Sequence, residues 1–237
     1  KLVAGVPDKT CLEIGCGRGS ISSYFAGGGF DCTLLDYSQS VLETAKRIFD
    51  ANGHCAEFIR GDANELPFDD GSFSVAVSIG LLEHFEDVAK PLSEQIRILK
   101  PGGVLLAYIV PERVPSVQKT FSHVNAALKT LNRLTGGKDK QPVKQDIYRS
   151  DYRSPVYLAA MRGLPVEDVR VIGMYPMPMI SHSPEFPFTL MPAQAERFLT
   201  TVFDVALSMR GAISPPDDPW TCDEREGQAF LITCRKK

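Results

Sequence analysis

The first half of the chain repeats one pattern, an apolar β-rich run followed by a helical stretch. The runs are Thr10–Ile14, Asp31–Leu35, Ala56–Ile59, Ser74–Ile79 and Val104–Ile109. Parallel strands can be joined only by a crossover, so this alternation predicts a mostly parallel sheet with helices on both faces. Val41, Leu42, Ala45, Ile48 and Phe49 share one helical face, behind Ser40 and Glu43 at capping-box spacing. Val88, Leu92, Ile96 and Leu99 share another, which Lys100-Pro101-Gly102-Gly103 is expected to stop.

The second half loses this rhythm. Ser116–Thr135 and Ala193–Arg210 read as amphipathic helices, and Pro155–Arg162 as a shorter helix. Glu167–Met174 and Ala229–Cys234 read as strands. A Pro-, Met- and Phe-rich segment, Tyr175–Pro192, matches no regular element. The whole of 1–237 is read as one domain, with 112–154 and 176–227 as insertions capping the substrate side. Phe121, Tyr175, Met177, Met179, Phe186, Phe188 and Met191 are the cap's candidate apolar lining.

Composition narrows the partners. With 43% hydrophobic residues and a net charge of −3, the chain can build a substantial core and carries no broad basic surface for nucleic acid. No apolar run reaches the roughly 20 residues of a membrane span. The six cysteines are scattered without a C-x-x-C pair, so no metal site is expected, and a reduced, cytoplasmic setting is the simpler reading. Residues 1–9 precede the first strand without a signal-peptide pattern, an opening that suits a longer N-terminal segment.

The chemistry gathers where the strands end. The first strand runs into Glu13-Ile14-Gly15-Cys16-Gly17-Arg18-Gly19. Glycines there let the backbone turn sharply and admit a ligand without Cβ interference. The dinucleotide fingerprint needs G-x-G-x-x-G, but its third position here is Ser20. An acid two residues before the first glycine would repel a pyrophosphate and could bind an amino group. This counts against a nicotinamide-dependent oxidoreductase. Asp36 closes the second run, where an acid can accept from both ribose hydroxyls. Its plain alternative is helix capping, which Ser38 and Ser40 could already supply. Asp62, in Gly61-Asp62-Ala63, could accept from an adenine amine or be an ordinary turn residue. Gly80 permits close backbone approach, and His84 could act as a base or pack within its loop.

Taken together, Leu12–Gly19 (LEIGCGRG), Leu34–Ser38 (LLDYS), Gly61–Phe68 (GDANELPF), Phe73–Asp87 (FSVAVSIGLLEHFED) and Leu99–Leu106 (LKPGGVLL) resemble the class I S-adenosylmethionine-dependent methyltransferases. The likeness is to the small-molecule group that includes the ubiquinone/menaquinone-biosynthesis enzymes, and it spans Cys11 to Ile109. It implies a Rossmann-like seven-stranded α/β sheet, mostly parallel with the last strand antiparallel, carrying helical cap insertions. It implies S-adenosylmethionine as cofactor, with Glu13, Gly15, Cys16 and Gly17 at the methionine end. Asp36 would bind the ribose, Tyr37 would lie against the adenosine, Asp62 and Ala63 would flank the adenine, and Ile79 and Gly80 would lie beneath the sulfonium. Glu167–Met174 and Ala229–Cys234 become the sixth and seventh strands.

The expected reaction is in-line methyl transfer to a small, partly hydrophobic acceptor. No catalytic residue is assigned, because a base is optional for a thiolate or stabilised carbanion. His84, Tyr108, His123 and His182 are candidates only. The alternative from another class is a regulatory or interaction protein that binds the cofactor without turnover.

Overall fold

The computed structural model describes residues 2–112, 148–174, 221–225, 227 and 229–237, with isolated residues 201, 205, 208, 209 and 212. The amphipathic stretch 116–135 and the segment 175–192 lie outside the described residues, with His123, His182 and the seven apolar cap candidates. Chain contacts divide the protein into two compact units. One comprises Lys1–Pro111, Tyr148–Ile172 and Phe230–Lys237, and the other Glu112–Ile147 and Gly173–Ala229.

The first unit carries the expected sheet. Its strands are β1 (Thr10–Ile14), β2 (Asp31–Asp36), β3 (Ala56–Arg60), β4 (Phe73–Ile79), β5 (Leu99–Ile109), β6 (Val166–Met174, ending in the second unit) and β8 (Ala229–Lys236, beginning there). The order is β3-β2-β1-β4-β5-β8-β6. The pairs β1–β2, β1–β4, β2–β3 and β4–β5 are parallel, and β8 runs antiparallel to β5. In the second unit a two-residue strand not anticipated from sequence, β7 (Thr221–Cys222), pairs antiparallel with Gly173 and Met174. It is the eighth strand of the sheet order.

Helices α1 (Ser20–Gly27), α2 (Gln39–Ala51), α3 (Ala89–Arg97) and α4 (Ser154–Ala160) are described. Two apolar clusters lie among these elements. One joins Leu12, Ile14, Ala76, Leu92, Ile96, Leu105 and Tyr157. The other joins Cys11, Leu34, Leu42, Ala45, Phe49, Val75 and Val77. Alternate residues of one strand enter different clusters, as the two-residue period of a strand covered on both faces requires.

Two local expectations are corrected. The Ser40–Glu43 capping box does not form, because the helix starts one residue before Ser40, at Gln39, behind Ser38, with no side-chain cap. The helix expected to include Leu99 ends at Arg97, and β5, expected from Val104, already begins at Leu99. Phe73 pairs with Leu99 and Val75 with Val104, so Lys100–Gly103 are accommodated as an irregular excursion of one strand.

Phe49 is fully buried and meets Phe58 edge-on at 5.7 Å, fixing α2 to the sheet. Phe49→Ala should cost about 3–5 kcal/mol of unfolding free energy, measurable by urea denaturation. A change within 1 kcal/mol would mean that α2 is not held by this contact.

Candidate functional site at the carboxyl ends of the strands

Because β1, β2, β3 and β4 are parallel, their C-terminal ends share one edge of the sheet. The Gly15–Gly19 turn follows β1, Asp36 ends β2, Gly61 and Asp62 follow β3, and Gly80 follows β4. The sequence-predicted site residues therefore converge on this edge.

The turn after β1 is held by its neighbour. The Cys16 amide donates to Leu35 O at 3.0 Å, and the Gly17 amide donates to Asp36 Oδ2 at 3.1 Å. Asp36 Oδ1 accepts from the Ser38 amide at 2.9 Å. Asp36 thus orders both the glycine turn and the start of α2. A carboxylate oxygen can accept more than once, so these bonds leave acceptor capacity for a ligand hydroxyl.

The turn's glycines are not equivalent. Gly17 has φ +52° and open space where a Cβ would stand, so its lack of a side chain leaves room rather than relieving a clash. Gly19 has φ +70°, and a Cβ there would meet Leu34 and Phe49 inside 3.0 Å, so that glycine serves packing. Gly15, also at positive φ, gives way to Leu81. Cys16 is buried, and burial pushes its thiol up.

Glu13 is only 4% exposed, and its Oε2 accepts from the Ser22 amide at 2.9 Å. Ser22 lies in the first turn of α1, whose N-cap is Gly19, so a β1 carboxyl does the work of a missing capping side chain. Burial raises the Glu13 carboxyl despite this bond. The fold therefore keeps a poorly solvated acid beside a glycine turn, where a ligand cation would be its natural partner.

The remaining residues surround this centre. Tyr37 is 72% exposed, and the Arg60 guanidinium lies over its ring at 5.5 Å and donates through Nε to Tyr37 O. Asp62 Oδ1 accepts from the Asn64 amide and side chain at 2.8 and 3.1 Å, the geometry of a turn aspartate. Ala63 is buried beside it. Ile79 is partly exposed, and Gly80, at φ +62°, donates to Tyr108 O at 2.9 Å. His84 Nδ1 lies 2.6 Å from Tyr148 O, a hydrogen bond to a segment distant in sequence rather than within its own loop. The Tyr108 phenol is pushed up by burial and then by Glu83.

Sequence reasoning missed Glu83, which is fully buried. Its only signal was an acid inside the apolar run Ile79–Phe85. Among the described residues no cluster of His, Cys, Asp or Glu suits a metal ion.

Residues 12–107 match the family described as "Methyltransferase domain". The chain is 38% identical over 105 residues to demethylmenaquinone methyltransferase of Renibacterium salmoninarum, covering 44% of this chain and 42% of that protein. It is 32% identical over 128 residues to norajmaline N-methyltransferase of Rauvolfia serpentina, covering 52% of this chain and 44% of that protein. The chain thus spans less than half the length of these curated relatives. Among solved structures it resembles a Thermotoga maritima protein described as a SAM-dependent methyltransferase and possible histamine N-methyltransferase. That likeness has a TM-score of 0.55 and 19% identity, covering 100% of this chain and 86% of that one, and it bears on the fold.

The Glu13 carboxyl gives a test that needs no ligand. The folded chain holds its proton more tightly than the unfolded chain does. Its contribution to stability is therefore fully present at acid pH and is lost as pH rises through the ordinary glutamate range to its raised folded value. Glu13→Gln keeps an acceptor for Ser22 and cannot ionise. The melting temperature of the variant minus that of wild type should increase between pH 4 and pH 8. A constant difference would show that Glu13 is not strained by ionisation.

Proposed function

We propose that this chain, whose residues 12–107 are a methyltransferase domain of the class I S-adenosylmethionine fold, transfers a methyl group from S-adenosylmethionine to a small, partly hydrophobic acceptor. The observation that carries this reading is the Asp36–Gly17 hydrogen bond at 3.1 Å, beside the buried Glu13. It joins an acid with spare acceptor capacity to a glycine turn with open space at Gly17. A zwitterionic nucleoside fits that combination; a pyrophosphate beside Glu13 would not.

When bound, the cofactor supplies an electrophilic methyl carbon on a sulfonium. The residues are read as follows. Glu13 would offset the ammonium at the methionine end, with the amides of Gly15, Cys16 and Gly17 lining the turn. Asp36 would accept from the ribose hydroxyls. Tyr37, one face already engaged by Arg60, would offer the other to the adenosine. Asp62 and Ala63 would flank the adenine, and Ile79 and Gly80 would form the floor under the reacting end. The protein's contribution to rate would then be alignment of the acceptor's nucleophile and exclusion of water. The small acceptor is supported by the names of the relatives and by the Met- and Phe-bearing composition of 175–192. We read insertions 112–154 and 176–227 as the acceptor-selecting part of the chain.

Isothermal calorimetry with S-adenosylhomocysteine and with NAD tests the cofactor. Micromolar-range binding of the first and negligible binding of the second are expected, whereas preferential NAD binding would refute the reading. Asp36→Ala should weaken binding by about 1–3 kcal/mol, through loss of a charged acceptor. Gly17→Val should weaken it further, since a branched side chain would fill the open space and the φ of +52° strains any residue but glycine. Wild-type affinity in both variants would mean that the ligand lies elsewhere. Turnover of methyl-labelled S-adenosylmethionine over a panel of small acceptors separates an enzyme from a silent cofactor-binding protein.

A further inference from the structure

Glu83 follows Gly80 in the turn after β4, inside the short 3-10 helix Leu82–His84, and its side chain is fully buried. Three segments meet on this residue. Its Oε1 accepts from the Val110 amide at 3.3 Å, at the exit of β5. Its backbone carbonyl accepts from the Ser150 amide at 2.8 Å, and next to it His84 contacts Tyr148 O. Oε1 also lies 3.6 Å from where a Cβ on Gly80 would stand, so the carboxyl packs against that glycine. The Gly80 amide is tied in turn to Tyr108 O. The Gly80 turn is therefore gripped from the β5 side by one backbone bond and from below by one carboxyl.

Among the described residues, three polar atoms in this region are buried without a hydrogen-bond partner: Glu83 Oε2, Ser150 Oγ and Tyr157 OH. Burial pushes the Tyr157 phenol up to about 12. An ionised carboxylate with one oxygen unpaired is expensive in such a place. A carboxyl bearing its proton on Oε2 is the less costly form there, because no charge is then buried on an oxygen without a partner.

From this juxtaposition we infer that Glu83 is a positioning residue for the cofactor site, fixing the Gly80 turn against the exit of β5 and the 148–157 segment. It touches neither the cofactor nor the acceptor. It works uncharged: the carboxyl accepts from Val110 through Oε1 and keeps its proton on the buried Oε2. The titratable and charged groups around it are His84 on its own turn, Arg149 beside Ser150, Tyr108 on β5 and Tyr157 on α4. Burial raises the Glu83 carboxyl, and His84 and Arg149 oppose that rise without cancelling it.

This inference rests on the cofactor reading above, and the experiment separates the two. S-adenosylhomocysteine binding is measured by calorimetry at 10 °C for wild type, E83A and E83Q of the full chain, with thermal melts of the ligand-free proteins at pH 4 and pH 8. E83A should weaken binding tenfold or more, through loss of the support under Gly80. E83Q, which keeps the acceptor for Val110 and carries no charge, should restore affinity to within threefold of wild type. The E83Q melting temperature should also gain on that of wild type between pH 4 and pH 8, because only the wild-type carboxyl loses stability on ionisation. A merely structural Glu83 would lower the melting temperature of E83A and leave its affinity unchanged, which would overturn the inference. Loss of binding in E83Q beyond threefold would also overturn it, by showing that a charge is needed. If E83A does not fold, the E83Q affinity and pH response decide alone. If wild type itself fails to bind, the cofactor reading and this inference fall together. If wild type binds and E83A matches it, only the role of Glu83 falls.

Discussion

β1 hydrogen-bonds on both sides, parallel to β2 and parallel to β4, and the candidate site depends on that arrangement. A parallel strand flanked by two parallel strands ends where its neighbours end. The turn after β1, the last residue of β2 and the turn after β4 are brought together before any side chain is chosen. Side chains then refine the arrangement. Asp36 reaches from β2 to the Gly17 amide, and Glu13 reaches from β1 to the first turn of α1. Both acids are structural, and a carboxylate satisfied by one amide keeps further acceptor capacity.

Two buried acids in this edge differ in what surrounds them. Glu13 faces an amide at the start of a helix, an environment that favours negative charge, yet burial still raises it. A ligand cation would relieve that conflict. Glu83 accepts from a backbone amide through one oxygen, and among the described residues its other oxygen is buried without a partner. A proton on the carboxyl would relieve that one. The same residue type thus serves opposite purposes, and the distinction lies in which partners the fold aims at it.

Much of this was legible in the sequence because backbone constraints leave marks there. The strand ends at Ile14, Asp36 and Ile79 were readable from apolar runs meeting glycines and acids, and β1 falls on its expected bounds. The capping box failed because Ser40 and Glu43 had the spacing but not the position: α2 starts at Gln39. The start of β5 was missed because Pro101 and two glycines are breakers in isolation, whereas pairing with Phe73 holds Leu99 in the sheet across an irregularity. Strand β7 is two residues long and carries no periodic signal at all. Glu83 was missed for a different reason. Its role comes from Val110 and Ser150, which are distant in sequence, and no local spacing encodes that meeting.

The acceptor stands apart from the cofactor for the same physical reason. Binding a fixed cofactor constrains backbone shape, and shape is written in glycines and in acids at strand ends. Binding an acceptor constrains only the side chains that surround it, which can change without altering the sheet. The two curated relatives carry names that point to different small molecules, and their matches cover 44% and 52% of this chain. The matched family stretch ends at residue 107, before the insertions begin. The family stretch holds the motifs proposed to bind the cofactor, while the relatives' names differ in acceptor. The proposed selection of the acceptor therefore falls to residues outside that stretch.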